Sequence, residues 1–229
     1  MKPEPYAFIA NNWSPERYVE NKLVTTPATS NYNALTAMPQ VEEILPFLKN
    51  KRNALDIGAR FGNFTMALHN SGFQHVYMIE MLEKFMEPIS LNIDLSRATV
   101  YNFGAFSHTA TGTRTGKTLT NTSGGGVRLH SIDDLELSDI DFIKIDVDGP
   151  DRLVLQGGIE TIKKYRPVIY VEFDEGQVRW EKQYNNFDLN SFEDMWKILV
   201  DEKLDYRQIV ASSDSKPEKN HYNLILVPN

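Results

Sequence analysis

Three charged residues alternate in the stretch Asp141-Phe142-Ile143-Lys144-Ile145-Asp146-Val147-Asp148-Gly149. On a strand, that alternation puts Lys144, Asp146 and Asp148 on one face at the carboxyl end. Three charges are costly to bury there without partners. The stretch is therefore either a site or a salt-bridge network beside a helix cap. In a site, Asp146 could contact a cofactor or bind an acceptor hydroxyl. Lys144 could orient that hydroxyl, or deprotonate it if burial lowered its pKa. Glu172 ends a later apolar run and points the same way, as a substrate ligand or a supporting residue. Asp146, Asp148 and Glu172 could also offer oxygen ligands to magnesium. A divalent metal is thus possible, but none is expected.

A second constellation lies upstream. Leu55-Asp56-Ile57-Gly58-Ala59-Arg60-Phe61-Gly62 ends an apolar strand in a glycine turn and opens a helix. Gly58 lets the chain bend and lets the backbone approach a ligand. Gly62 allows close packing. Free N–H groups at the helix start suit a carboxylate or phosphate. The dinucleotide fingerprint Gly-x-Gly-x-x-Gly is not met, because Arg60 stands where its second glycine would be. That counts against a nicotinamide dinucleotide. Asp56 suits a ligand carrying an amino group. Glu80 follows the next strand, about 20 residues on, where an acid reaches the ribose hydroxyls of an adenosine ligand. A strand–glycine–helix turn is also ordinary α/β chemistry, so the turn and Glu80 indicate adenosine rather than a reaction.

Among the other candidates, His108 and His130 sit in or beside a Gly/Ser/Thr-rich stretch near the expected crevice, and either could serve as general base. His69 reads as surface or partly packed, and His75 and His221 as structural. Trp180, Tyr184, Phe187 and Trp196 could form an aromatic platform for a sugar face, with core packing the better use of Trp196.

These residues need elements to hold them. The chain has 229 residues, 41% hydrophobic and 24% charged, enough for one sizeable α/β domain. Residues 1–38, with Pro3, Pro5, Pro15 and Pro27, read as an irregular arm or lid with a short helix near Pro15–Lys22. From residue 39 to 229 the pattern is regular. Strands are predicted at Asn53–Ile57, His75–Ile79, Thr99–Phe103, Ile140–Asp146 and Pro167–Phe173. Helices are predicted at Phe61–Ser71, at Leu82–Leu95 with a kink at Pro88, from Pro150 through Lys164, and at Phe192–Lys203. Gly104–Leu129 reads as a loop or short hairpin. Leu204–Val210 and Tyr222–Val227 have no helix between them and must pair as a hairpin. The outcome is a doubly wound, mostly parallel seven-stranded sheet with an antiparallel C-terminal hairpin strand.

Composition removes several classes. With no cysteine, disulfides, thiolate catalysis and Cys-based zinc sites are excluded. A net charge of −7 and no dense basic run make nucleic acid an unlikely partner. No apolar leader or membrane span is visible, so a cytoplasmic protein is expected.

The motifs in order resemble the FkbM-type methyltransferases. The turn Leu55–Ala59, Gly62 and Glu80 are similar to that family's opening. The stretch Asp141–Gly149, then Leu155-Gln156-Gly157-Gly158 and Arg166-Pro167-Val168-Ile169-Tyr170-Val171-Glu172, resembles its Lys-Ile-Asp-Val-Glu-Gly, Leu-x-Gly-Ala and Arg-Pro-x-Ile-x-x-Glu signatures. Ile132-Asp133-Asp134-Leu135 matches its Leu-Asp-Asp-Leu. The resemblance spans residues 53–173 and implies a Rossmann-like class I methyltransferase fold. It implies O-methylation of a hydroxyl on a sugar, glycan or small metabolite, with S-adenosyl-L-methionine as donor. Carried over by position, Asp56, Gly58, Gly62 and Glu80 become cofactor contacts, and their neighbours Ala59, Arg60 and Met81 join them as candidates. Ala105 and Phe106 lie near the adenine, and Asp146 near the methyl-transfer centre. Asp148, Glu172 and His130 are left for the substrate. Arg60 and Met81 depart from the family's usual Asn and Pro, and Asp148 and Asp151 stand for its glutamates. The alternatives are a methyltransferase acting on nucleic acid or protein, and a non-catalytic module that binds an adenosine cofactor.

Overall fold

The computed structural model describes residues 2–11, 13, 37–115, 118–120, 126–213, 215 and 221–229. The short helix expected near Pro15–Lys22 lies outside them. Helix α1 (Met38–Ile44) packs Val41 and Ile44 inward and leads into strand β1 (Asn53–Ile57). Helix α2 (Asn63–Asn70) follows the glycine turn, then β2 (His75–Ile79). A 3-10 turn at Glu83–Phe85 precedes α3 (Met86–Asn92), so Pro88 falls in the helix's first turn and makes no kink. There its missing N–H removes no helical hydrogen bond.

After β3 (Ala98–Tyr101) the stretch expected as a loop or short hairpin holds a hairpin within a small sheet. The sheet comprises β4 (Gly104–Ala105), β5 (Ala110–Thr115), β6 (Thr118–Thr120) and β7 (Val127–His130), in the order β4-β7-β5-β6, with β5 and β6 as the hairpin. Alternating Thr residues in β5 and β6 suit such a pleated surface. Strand β8 (Ile140–Ile145) is followed by two helices, α4 (Asp151–Gln156) and α5 (Ile159–Tyr165), where one was predicted. The break has two causes. A side chain at Gly157 would lie 2.1 Å from the Phe106 carbonyl oxygen. The Asp133 carboxylate accepts the N–H groups of Glu160 and Thr161 and caps α5 from outside. Strand β9 (Val168–Phe173) leads to α6 (Glu175–Tyr184), a helix missed in the sequence and started by an Asp174–Gln177 capping box. Helix α7 (Phe192–Asp201) and strands β10 (Tyr206–Val210) and β11 (Tyr222–Pro228) complete the chain.

The main sheet has seven strands in the order β10-β11-β9-β8-β1-β2-β3. All pairs are parallel except those made by β11, which runs antiparallel to both β10 and β9. Strands β1, β8 and β9 are nearly continuous apolar runs because helices cover both of their faces. The chain leaves β1 in one direction through β2 and β3, and returns to build β8 and β9 on the other side. That reversal puts the topological switch point between β1 and β8, whose carboxyl ends border a ligand crevice in such sheets.

Candidate active site

Register explains what lies at the switch point. Asp56 on β1 pairs with Lys144 on β8, which pairs with Tyr170 on β9. Directly paired residues share a face, so the three form a row across the sheet. One pleat further along β9, Glu172 pairs with Asn223 on β11. Asp146 lies just past the end of β8 and donates its N–H to the Ile57 carbonyl.

The first row is closed. Asp56 is fully buried, its carboxylate taking the Thr65 hydroxyl at 2.8 Å and standing 3.3 Å from Lys144 Nζ. Lys144, with its side chain 6% exposed, donates to the Ile57 and Gly58 carbonyls at 3.2 and 3.1 Å and stands 3.4 Å from Asp146. Burial alone would pull its pKa down, but the carboxylates of Asp146 and Asp56 overcome that and raise it. This corrects the sequence reading of Lys144 as a base. It is a permanently charged tether that holds the carbonyls of the turn. Asp56 faces Lys144 and Thr65 and lines neither cavity described below.

The turn is equally constrained. Gly58 and Ala59 both donate to the Ile79 carbonyl. Gly58 has φ +79°, and a side chain there would lie 1.9 Å from the Asp146 carbonyl oxygen. Its freedom thus serves contact between the turn and the end of β8. Gly62, at φ +86°, packs on Ile93 rather than facing the crevice. Ala59 is buried beneath the turn. Arg60 is exposed, adopts φ +47° and lies beside the Phe61 ring.

Two cavities open here. The first, about 340 Å³, is bounded by Glu80, Met81, Leu82, Phe103 and Ala105 at one end and by Asp148 and Pro150 at the other. The second, about 500 Å³, runs from Pro39 and Gln40 past Asn63 and Phe64 to Tyr170, Ser213 and Asn223. Gly58, Arg60, Asp146 and Glu172 line both. Glu80 is held rigidly, one carboxylate oxygen taking the Arg60 N–H and the other the Leu82 N–H. Burial raises its pKa, against the pull of those N–H groups.

The loop carrying Asp146 is fixed by Asp151, to which the sequence assigned no role. Asp151 is fully buried and accepts the N–H groups of Val147 and Gly149. Burial first, then the nearby Asp146, push its pKa up to about 7. Trp180 packs on Gly149, leaving no space for a side chain there. Glu172 is mostly buried, and burial with the surrounding Asp146, Asp151, Asp174 and Asp148 pushes its pKa up to about 9.

Several predicted site residues lie elsewhere. Phe106 is buried against Leu129, Leu153 and Trp180, away from the cavity that Ala105 lines. His130 turns toward Thr109 and Asp134 and lines neither cavity, and burial lowers its pKa. His108 meets Ser107. His69 is buried, which pulls its pKa down to about 4. Asp148 has φ +57° and is exposed, so it leaves the strand's alternation. Asp146, Asp148 and Glu172 therefore do not converge as a metal ligand set. The aromatic platform does not form either: Trp180 is buried, Phe187 takes the Arg152 guanidinium, and Trp196 donates to Gln208. The second cavity went unseen because Tyr170, Ser213 and Asn223 reach it only through the β9–β11 pairing. The one available signal was Tyr170 two residues before Glu172, on the same face of a strand.

No helix among the described residues is long and apolar enough to cross a membrane. No curated protein shows a significant sequence match to this chain. Among solved structures, the chain is similar to methyltransferase FkbM from Methylobacillus flagellatus KT, with a TM-score of 0.59 and 19% identity, covering 82% of this chain and 47% of that one. It is similar to a TehB-like SAM-dependent methyltransferase from Corynebacterium glutamicum ATCC 13032 Kitasato, with a TM-score of 0.52 and 12% identity, covering 93% and 97%. A precorrin-6y C5,15-methyltransferase from Geobacter metallireducens GS-15 follows, with a TM-score of 0.50 and 15% identity, covering 90% and 94%. At these identities the likeness is one of fold. The family model for the methyltransferase FkbM domain matches residues 56–208, two thirds of the sequence and both halves of the crevice. The chain belongs to the FkbM methyltransferase family, whose methyl donor is S-adenosyl-L-methionine.

Proposed function

We propose that this chain transfers a methyl group from S-adenosyl-L-methionine to a hydroxyl of a sugar, glycan or small metabolite. The observation that carries the reading is the meeting of two cavities at Gly58, Arg60, Asp146 and Glu172. A donor and an acceptor need separate chambers with one shared wall. The donor chemistry fits the first chamber. Glu80 offers its remaining lone pairs to ribose hydroxyls, as charge-assisted hydrogen bonds. Ile79, Leu82, Phe103 and Ala105 give the adenine an apolar slot. Arg60, with no carboxylate partner among the described residues, would take the methionine carboxylate at the junction. When bound, the donor supplies an electrophilic methyl on a cationic sulfur.

The second chamber would then take the acceptor. Gln40, Asn63, Ser213 and Asn223 on its wall are neutral polar groups suited to hydroxyls. Asp146 would orient the acceptor, and positioning supplies most of the rate in such a displacement. Residues 1–38 are read as an arm or lid beside a methyltransferase domain over 39–229, a reading that Ala37 on the wall of the second chamber supports. The net charge of −7 supports a small acceptor over a nucleic acid.

Thermal-shift measurements with S-adenosylmethionine, S-adenosylhomocysteine and NAD test the donor. Both adenosyl ligands should stabilise the protein, and stabilisation by NAD alone would sink the proposal. Mass spectrometry of methyl transfer into a saccharide panel then identifies the acceptor.

A further inference from the structure

Lys144 cannot take the acceptor's proton, and His130 lies elsewhere, so the reaction lacks a base. We propose that Glu172, oriented by His221, accepts the hydroxyl proton of the acceptor. The inference rests on the methyltransferase reading above, which does not itself assign a base.

The geometry singles out Glu172. It is one of two carboxylates at the junction of the chambers, and the other, Asp146, is ion-paired with Lys144. Glu172 has no cation of that kind. Its Oε1 lies 3.4 Å from Nδ1 of His221, and its Oε2 lies 3.5 Å from Nε2 of Gln177 on α6. His221 enters from the start of β11, mostly buried, and its Nε2 has no hydrogen-bond partner among the described residues. It thus meets Glu172 through one nitrogen.

Four acids act on Glu172: Asp146 and Asp148 from the loop after β8, Asp151 from α4 and Asp174 from the turn before α6. The cations Arg60 and Lys144 line the same chamber, Lys144 being ion-paired with Asp56 and Asp146. In this setting Glu172 holds its proton near neutral pH in the cofactor-free protein. A cationic sulfur placed at the junction favours the carboxylate. Donor binding therefore charges the base, and a neutral sulfur does not. In the transfer step the acceptor oxygen bonds to the methyl carbon as the carbon–sulfur bond breaks, its electron pair going to sulfur. The hydroxyl proton passes to Glu172, so one positive and one negative charge disappear together. Glu172, Asp174 and His221 also bring one oxygen or nitrogen each within 4.8 Å of one another. The proton-acceptor assignment predicts that added divalent ions do not change turnover, because an ion on these three groups would occupy the Glu172 carboxylate.

Calorimetry in two buffers of different ionisation enthalpy at pH 7.5 tests this without knowledge of the acceptor. S-adenosylmethionine should release close to one proton per chain on binding, and S-adenosylhomocysteine close to none. Glu172→Gln should abolish the difference and weaken S-adenosylmethionine binding about tenfold, the linkage worth of the released proton, while leaving the S-adenosylhomocysteine Kd within about threefold. With an acceptor from the saccharide panel, Glu172→Gln should lose about 100-fold or more in kcat. Glu172→Asp should recover part of it, and His221→Gln should shift the pH–rate profile. Equal proton release by the two ligands, unchanged release in Glu172→Gln, kcat within about tenfold of the parent, or activity lost to EDTA and restored by magnesium would each overturn the assignment. If the parent protein binds neither ligand, it is the methyltransferase reading that fails.

Discussion

Replacing Lys144 with methionine should cost the protein more stability than any surface change. The substitution keeps the length of the side chain and removes its charge and donors. Asp56, with no exposure at all, is then left with a buried charge and only the Thr65 hydroxyl to answer it. The carbonyls of Ile57 and Gly58 lose a donor in the same step. Removing one partner of a buried pair typically costs about 3–5 kcal/mol, mainly the penalty of the stranded charge. In a chain of this size each kcal/mol moves Tm by about 2–4 °C, so Lys144→Met should melt about 6–20 °C lower. Asp146, 45% exposed, contributes little to this loss because water can replace the lysine. The decisive comparison is the double variant Asp56→Asn/Lys144→Met, which removes both charges and keeps the Thr65 contact. It should regain at least half of the loss, measured by thermal unfolding followed by circular dichroism. A single variant melting within about 2 °C of the parent, or a double variant no more stable than the single, would refute the tether.

Other substitutions follow from the same geometry. Folded Glu172 and Asp151 hold their protons up to about pH 9 and 7, against ordinary values of 4.5 and 3.8. Their contribution is full below the ordinary values and is lost as pH rises through 7 and then 9, so Tm should fall across that window. Glu172→Gln should therefore melt above the parent at pH 8 and close to it at pH 4; a gain that persists at pH 4 would count against the charge argument. Gly58→Ala would set a methyl 1.9 Å from a backbone oxygen at φ +79°; it should cost about 3 kcal/mol or more and abolish donor binding in a titration, unlike the usual gain of Gly→Ala. Arg60→Ala should weaken S-adenosylmethionine binding about tenfold by calorimetry, the worth of one charge-assisted hydrogen bond, with Tm within about 2 °C.

What the sequence made legible depended on whether the cause was local. The mostly parallel seven-stranded sheet and the antiparallel hairpin followed from alternating strand and helix patterns and from the absence of a helix between Leu204–Val210 and Tyr222–Val227, whereas the strand order did not. The turn at Gly58 was visible as a turn, but its reason was not. The carbonyl it must avoid belongs to Asp146, distant in sequence and adjacent only across β1 and β8. The helix break at Gly157 was hidden likewise, since Phe106 and Asp133 impose it from other elements. Alternation placed Lys144 and Asp146 correctly on one face. It failed for Asp148, because β8 ends at Ile145 and the loop turns through a left-handed residue. Glu172 was legible as a strand-end acid, while His221 became its neighbour only through the register of β11.

The contrast between Lys144 and Glu172 shows why residue type alone did not assign the chemistry. Both are ionisable residues near the carboxyl ends of adjacent parallel strands, and both touch the second chamber. Lys144 lies in a row with Asp56, so its charge is matched within hydrogen-bonding reach and fixed there. Glu172 lies one pleat further out, opposite a neutral Asn223 and among other acids. A matched charge is a structural part, because changing its protonation would cost the pairing. An unmatched one remains free to change when a cation arrives. One step of register, about 7 Å along a strand, thus separates a group that holds the turn together from a group able to exchange a proton beside it.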